Sequence, residues 1–258
     1  MIHYTCDSVV LGLDCAPVDP RTGNKTLYNV SWIADRDSMI GNRNEDWVQR
    51  ELKWFRLGSD TLDDMEPPIP QAFQDCAGVD NRVNSAYGHI LFSTDVTEDS
   101  VSLYEHLVRA FLAEGLGTRH ATAIISDRNI HTMYRADGRR DFICTNALNV
   151  MVDSSNKLHI NAQMRSMDAV WGYRADYSMW DLLMDTLVED LKRWDNDVTR
   201  GDIHFQVANL HVYPRHFHLL EKEAEDADDR QNRKLRRIWR GSESQDTQNV
   251  EAYQPTLF

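Results

Sequence analysis

Glu51 stands in EDWVQRELKWF, residues 45–55, on the side where Trp47, Val48, Leu52 and Phe55 recur at helical spacing. An ionised carboxyl on an apolar stripe is costly to bury, and its pKa tends to rise. Two chemistries fit it: a salt bridge to a core arginine, or general acid/base work near neutral pH. Cys144 stands in Phe142-Ile143-Cys144-Thr145-Asn146, where alternation predicts that it shares a face with Leu148, Val150 and Val152. A free cysteine among apolar neighbours is core filler, or a nucleophile if positive charge stabilises its thiolate. Arg165 and Ser166 follow the next predicted strand, and a hairpin would return them beside Cys144. His211 and Tyr213 lie two apart in a further strand and so share a face. Such a pair can hold a sugar hydroxyl, and it is also common on half-buried strands.

These residues need elements to position them. Besides the Glu45–Phe55 helix, the pattern predicts one from Leu103 to Ala113, with Leu103, Leu107, Phe111 and Leu112 apolar and Gly115 as the stop. Tyr177 to Trp194 carries Trp180, Leu183, Met184, Leu187, Val188 and Leu191 at i, i+3, i+4 spacing. Glu221 to Arg240 is acidic first and basic later, which suits a solvated helix and its dipole. Strands are expected at Ile143–Val152, Leu158–Met164 and Ile203–Tyr213, with Ser154-Ser155-Asn156 as a hairpin turn. Pro67, Pro68 and Pro70 mark a loop. Helices alternating with strands give an α/β or α+β class, read as one domain over 1–258 with a polar C-terminal tail.

The chain of 258 residues carries 28 Lys+Arg against 41 Asp+Glu, a net charge of −13. That balance argues against a basic surface for duplex nucleic acid, which needs clustered Lys/Arg. An anionic substrate must then be met by a local arginine cluster against the overall field. Cys6, Cys15, Cys76 and Cys144 form no C-x-x-C and no zinc spacing. No basic leader and no apolar membrane span is expected, so the reading is a cytoplasmic protein with reduced thiols and no metal.

Several ordered motifs together resemble the thymidylate synthase superfamily, and within it most closely the phage deoxycytidylate hydroxymethylase branch. The resemblance runs from about Asp19 to Leu220, leaving 221–258 as helix and tail. Pro20-Arg21-Thr22-Gly23-Asn24-Lys25-Thr26 is similar to the family's phosphate loop, and QRELKWF, 49–55, to its glutamate helix. Asn84-Ser85-Ala86-Tyr87-Gly88 resembles its Tyr-Gly turn, and Asp141 to Asn146 its nucleophile strand. Met164 to Asp168, Gly172 to Tyr177 and Leu210 to Phe217 are similar to its phosphate, base-reading and ribose segments.

The resemblance implies a large twisted mixed β-sheet flanked by helices, with sheets packing across a homodimer. It implies that Cys144 adds to C6 of a pyrimidine and that Glu51 manages protons around the ring. Arg165, Ser166 and Arg21 would hold the nucleotide phosphate. Arg119 would reach it from the second subunit, although Thr118-Arg119-His120 has one arginine where the family tends to have a pair. His211 and Tyr213 would bind the 3′-hydroxyl. Asp168 would orient a folate pterin, with Tyr87 nearby and Phe73 where the family usually has tryptophan. Asp176 stands where uridylate enzymes have asparagine, which implies dCMP rather than dUMP; the bland alternative is that it caps the following helix. The one-carbon donor would be 5,10-methylenetetrahydrofolate, and the product 5-hydroxymethyl-dCMP or, by a reductive route, 5-methyl-dCMP. A dUMP-acting relative, a non-catalytic nucleotide-binding relative and an interaction protein using the Glu221–Arg240 helix are the competing classes.

Overall fold

The computed structural model describes residues 4–94, 99–126, 128–194 and 197–250, with side chains described as far as 233. Six strands form one mixed sheet in the order β1-β6-β4-β3-β2, with short β5 beside β6. They are β1 (Lys25–Ile33), β2 (Thr122–Ile124), β3 (Thr145–Val152), β4 (Lys157–Met164), β5 (Met167–Asp168) and β6 (Thr199–Val212). The β1–β6, β4–β3 and β3–β2 pairs are antiparallel, and β4 and β5 run parallel to β6. The expected hairpin is present, with Asn156 at φ 58°. The sequence reading left out β1, β2 and an N-terminal helix α1 (Cys6–Cys15), whose Val9, Val10 and Leu13 are buried.

Helix α2 (Glu45–Leu57) matches its expectation. Asn44 Oδ1 accepts the Trp47 N–H at 3.1 Å, and Gly58 ends the helix at φ 66°. After the proline loop come α3 (Gln71–Cys76) and α4 (Tyr87–Phe92). Helix α5 (Leu103–Glu114) is capped by Ser102 and stops at Gly115 as expected; Leu112, read as part of the apolar stripe, is exposed. A short α6 (Ile130–Met133) precedes the nucleophile segment. Helix α7 (Gly172–Lys192) starts five residues before the expected Tyr177, because its first turn is packed under the sheet rather than marked by a cap. It lies along β4, β5 and β6, and Trp180, Leu183, Met184 and Leu187 are fully buried. Helix α8 (Phe217–Val250) packs on α1 and also starts earlier than expected.

Four chain paths change face on one line across the sheet. In β6 the buried positions are Ile203, Phe205 and Val207, then Leu210 and Val212. In β1 the switch falls at Asn29, which adopts φ 52°. In β3 the register shifts between Thr145 and Ala147. Past β4 the buried run Leu158, Ile160, Ala162, Met164 resumes at Met167. The register places these points side by side: Thr145 against Met164, Met164 against Val207, Val207 against Val30. Bulges of this kind re-aim side chains and recur beside active sites.

Helices α2 and α4 meet at Gly88, where an added Cβ would sit 2.0 Å from the Phe55 carbonyl oxygen. Gly88→Ala is therefore expected to push α4 off α2 and lower stability by about 3 kcal/mol, read as a drop in the urea midpoint. An unchanged midpoint would show that this close approach is not needed.

Candidate active site

Cys144 lies just before β3, half-buried, at the line where the strands change face. The bulge corrects the expected face: Thr145, opposite Met164, shares the side of Leu148 and Val150, and Cys144 does not. The thiol thus leaves the Leu148–Val150 stripe while still packing against the rim of the main core. The Arg165 N–H donates to the Cys144 carbonyl at 2.9 Å, as the hairpin reading anticipated. The Arg165 guanidinium donates to the carbonyls of Ile143 (2.9 Å) and Phe142, lies 3.6 Å from Cys144 Sγ and covers the Phe142 ring. The thiol is pushed up to about 11: burial raises it most, Arg165 lowers it, and the charges of Asp176 and Asp141 raise it again.

Two carboxyls share this electrostatic neighbourhood. Glu51 comes from α2 and is 4% exposed; Asp176 comes from α7 and is also buried. The buried arginine of this region, Arg174, is not Glu51's partner: it donates to Ser38 Oγ at 3.0 Å and the Ile40 carbonyl at 2.5 Å, fixing the loop before α2. No ion pair reaches Glu51 among the described residues, and its Oε2 is buried without a hydrogen-bond partner. Burial, then the charge of Asp176, pushes Glu51 up to about 8; burial alone pushes Asp176 to about 8. The capping alternative for Asp176 fails, because Trp171 stands at the N-cap of α7 and Asp176 lies inside the helix. Tyr87, at the start of α4, is buried against Trp180, and its hydroxyl accepts the Thr145 N–H at 3.3 Å. Its own ionisation is raised by burial and by Asp176 and Cys144.

These shifts have a consequence for folding. In the unfolded chain the two carboxyls release their protons near 4.5 and 3.8, and in the native protein near 8. The native state holds more protons in that window, so stability falls as pH rises through it. The urea midpoint is expected to drop between pH 5 and pH 8, and Glu51→Gln to flatten the drop. A wild-type slope retained in Glu51→Gln would remove Glu51 from this account.

The far end of β6 carries the second group. His211 and Tyr213 share a face as expected, their rings edge to face with centroids 4.9 Å apart; Tyr213 lies just past the strand end. His211 Nδ1 is 3.1 Å from Asn209 Oδ1, and burial lowers the pKa of His211, favouring the neutral ring. Asp168 sits opposite His211 in the β5–β6 pair; its Oδ1 accepts the Val170 N–H at 2.9 Å, and its charge acts on His211, Tyr213 and His216. Tyr213 in turn is within reach of Cys144's charge. Ser166 is half-buried in the link between β4 and β5. The sequence reading missed the wall here: Arg215 lies over Tyr213 (4.5 Å) and Trp171 (5.5 Å), and Trp47 meets Trp171 edge-on. Trp47 on the Glu51 stripe was the available signal for that wall.

Three expected site residues stand apart from Cys144. Arg21 is 81% exposed and donates to Asp19, in a loop that touches Pro214 through Gly23 and so borders Tyr213. Phe73, on α3, packs edge-on against Trp54 in a separate small cluster with Leu62, Met65 and Val83. Arg119 is exposed just before β2, at the sheet edge opposite β1. Four strand spacings separate those edges, about 19 Å.

The fold also gathers His159, Asp202 and His204 on neighbouring strands, a group that sequence spacing did not disclose. The His159 Nδ1 lone pair already accepts the Asp202 N–H at 3.0 Å, and His159 Nε2 faces Asp153 at 3.4 Å. Both ring nitrogens are committed to hydrogen bonds, which is a structural use of this histidine.

No protein-family model matches the chain. Over 205 residues it is 32% identical to the deoxycytidylate 5-hydroxymethyltransferase of Enterobacteria phage T4, covering 78% of this chain and 81% of that relative. The proteins of the same name from Enterobacteria phages T2 and T6 match over the same length at the same identity. Among solved structures, thermostable thymidylate synthase A from Bacillus subtilis superposes with a TM-score of 0.64 over 85% of this chain and 82% of that one. At 16% identity that likeness is one of fold, and it bears out the expected mixed sheet flanked by helices.

Proposed function

Because the chain belongs to the thymidylate synthase superfamily, with the phage deoxycytidylate 5-hydroxymethyltransferases as its relatives, we propose that it hydroxymethylates dCMP at C5. The observation that carries the reading is the meeting of Cys144, under the Arg165 guanidinium, with two buried carboxyls that stay protonated to about pH 8.

The Cys144 thiolate adds to C6 of the cytosine, forming a C–S bond and loading C5 with electron density. The one-carbon unit would come from 5,10-methylenetetrahydrofolate, which supplies a carbon at the oxidation level of formaldehyde. Arg165 stabilises the thiolate before the addition. Glu51, with its buried and unpartnered Oε2, passes protons to and from the ring and the water that becomes the hydroxyl. Elimination of Cys144 from C6 then restores the aromatic base and the free thiol.

Asp176 reads the base. A protonated carboxyl offers an O–H donor to cytosine N3 and a carbonyl acceptor to the N4 amino group. Burial keeps that proton in place at neutral pH. Neutral His211 and the Tyr213 hydroxyl suit a deoxyribose hydroxyl. Arg165, Ser166 and an Arg21 released from Asp19 form the phosphate cradle, and Asp168, Tyr87 and Phe73 border the folate. Arg119, on the far sheet edge, serves a partner subunit's site in a homodimer built sheet against sheet. Among the described residues no helix is long and apolar enough to cross a membrane; a cytoplasmic site of action completes the proposal.

Incubation with dCMP and 5,10-methylenetetrahydrofolate, read by product mass, tests the function. A gain of one CH2O unit is expected. A gain of one CH2 unit would replace hydroxymethylation by reductive methylation, and no gain would refute one-carbon transfer to dCMP.

A further inference from the structure

Residues 139–144 have no regular secondary structure, so the sheet ladder does not fix the backbone that leads into Cys144. From the β4 side, Arg165 holds the carbonyls of Phe142, Ile143 and Cys144. From the α4 side, Asp141 anchors the start of the same segment. Asp141 is buried, and its Oδ2 accepts both the Ser85 N–H at 2.7 Å and the Ser85 hydroxyl at 2.8 Å. The Asn84 amide donates to the Asp141 carbonyl at 2.8 Å and to the Met133 carbonyl at 3.3 Å. Three residues along the same stretch, the Tyr87 hydroxyl takes the Thr145 N–H. Segment 84–87 is therefore stitched to segment 141–145 at both ends, with Cys144 between the stitches. Segment 84–87 is itself immobilised where Gly88 meets the Phe55 carbonyl.

A carboxylate three residues before a nucleophilic thiol works against the thiolate, and Asp141 does push Cys144 upward. An electrostatic role in activating the thiol is thus excluded by sign. The two charge-strengthened hydrogen bonds to Ser85 are what the carboxylate contributes.

We propose that Asp141 is a positioning residue: through Ser85 it sets the reach of Cys144 and keeps the thiol in register with Tyr87. The proposal rests on the reading of Cys144 as the nucleophile toward dCMP. A thiol displaced by about 1 Å from its attack position loses on the order of 100-fold in rate.

Two substitutions separate position from charge. Asp141→Ala removes the clamp and the charge. Asp141→Asn removes the charge and keeps an oxygen that can accept from Ser85. Both are expected to lower the pH midpoint for iodoacetamide alkylation of Cys144, read on its peptide by mass spectrometry. Asp141→Ala is expected to lower kcat by about 10- to 100-fold with the KM for dCMP within about threefold, while Asp141→Asn stays within about threefold of wild type in kcat. The alkylation rate at full ionisation should change at least about threefold in Asp141→Ala and stay at the wild-type value in Asp141→Asn. Should Asp141→Ala fail to fold, Ser85→Ala takes its place: the alkylation midpoint is unchanged and kcat falls about threefold. Unchanged kcat in a folded Asp141→Ala, or Asp141→Asn as inactive as Asp141→Ala, overturns the proposal. The alkylation arm needs no nucleotide. A wild-type protein inert toward dCMP would count against the function, while an altered limiting alkylation rate in Asp141→Ala would still support the clamp.

Discussion

Cys144→Ala abolishes product formation, by a factor on the order of 10⁴ or more, while dCMP still binds within a few-fold of wild type. That is the expected result if the thiol forms the bond that activates C5. The phosphate, ribose and base contacts proposed for the pocket do not involve the sulfur, so equilibrium binding should survive. Isothermal titration with dCMP and a product assay on the same preparation read both halves. Turnover retained in the variant would return Cys144 to the role of core filler. The structure already weighs against that role, because the bulge takes Cys144 off the Leu148–Val150 face and Arg165 lies beside its sulfur. Arg165 lowers the thiol pKa against the burial that raises it, so Arg165→Gln should slow the first addition and move the alkaline rise of alkylation to higher pH.

Asp176→Asn is expected to reverse base preference. A carboxyl can pass its proton to cytosine N3 as the Cys144 adduct loads the ring with electrons; an asparagine amide cannot, and its donor and acceptor meet O4 and N3–H of uracil as readily as they meet cytosine. The ratio of kcat/KM for dCMP over dUMP should fall by about 10³-fold, measured with both nucleotides under identical conditions. A ratio unchanged within a few-fold would dismiss Asp176 as the base reader. The pH profile supplies a second reading. With the Cys144 thiol near 11 and Asp176 and Glu51 both near 8, wild-type kcat/KM for dCMP should rise with the thiolate fraction up to about pH 8 and fall above it, where both carboxyls lose their protons. The substitution costs the helix little, since Asp176 is internal and Trp171 occupies the cap position.

The helices that carry the site were readable because their patterns are strong. Residues 45–55 and 177–192 bury continuous apolar stripes, and Glu51 was conspicuous for interrupting one. Residues 103–113 ended where Gly115 said they would. The start of α7 was not readable, because Tyr173, Arg174 and Asp176 near its start are buried by distant parts of the chain and no side chain caps it. Strand β1 was overlooked because its inward positions change at Asn29, which breaks the alternation a reader looks for. The register shift between Thr145 and Ala147 in β3 misassigned the face of Cys144 in the same way. Contacts between distant segments, such as Asp141 with Ser85 or Arg215 with Trp171, leave no local pattern in the chain.

The line of face changes through Asn29, Asn146 and the β6 switch near Ala208 also determines how freely the strands can slide. In an unbroken sheet a strand can slip by two residues and still present the same face to the core. Here a slipped strand would carry its break out of line with those of its neighbours. One half would then bury polar positions, and the other would lift apolar ones into water. Each strand thus acts as a detent for the next. Cys144, Arg165 and His211 all lie at or just past this line, so the ladder that forms the sheet also prevents any one of them from drifting along its axis relative to the others.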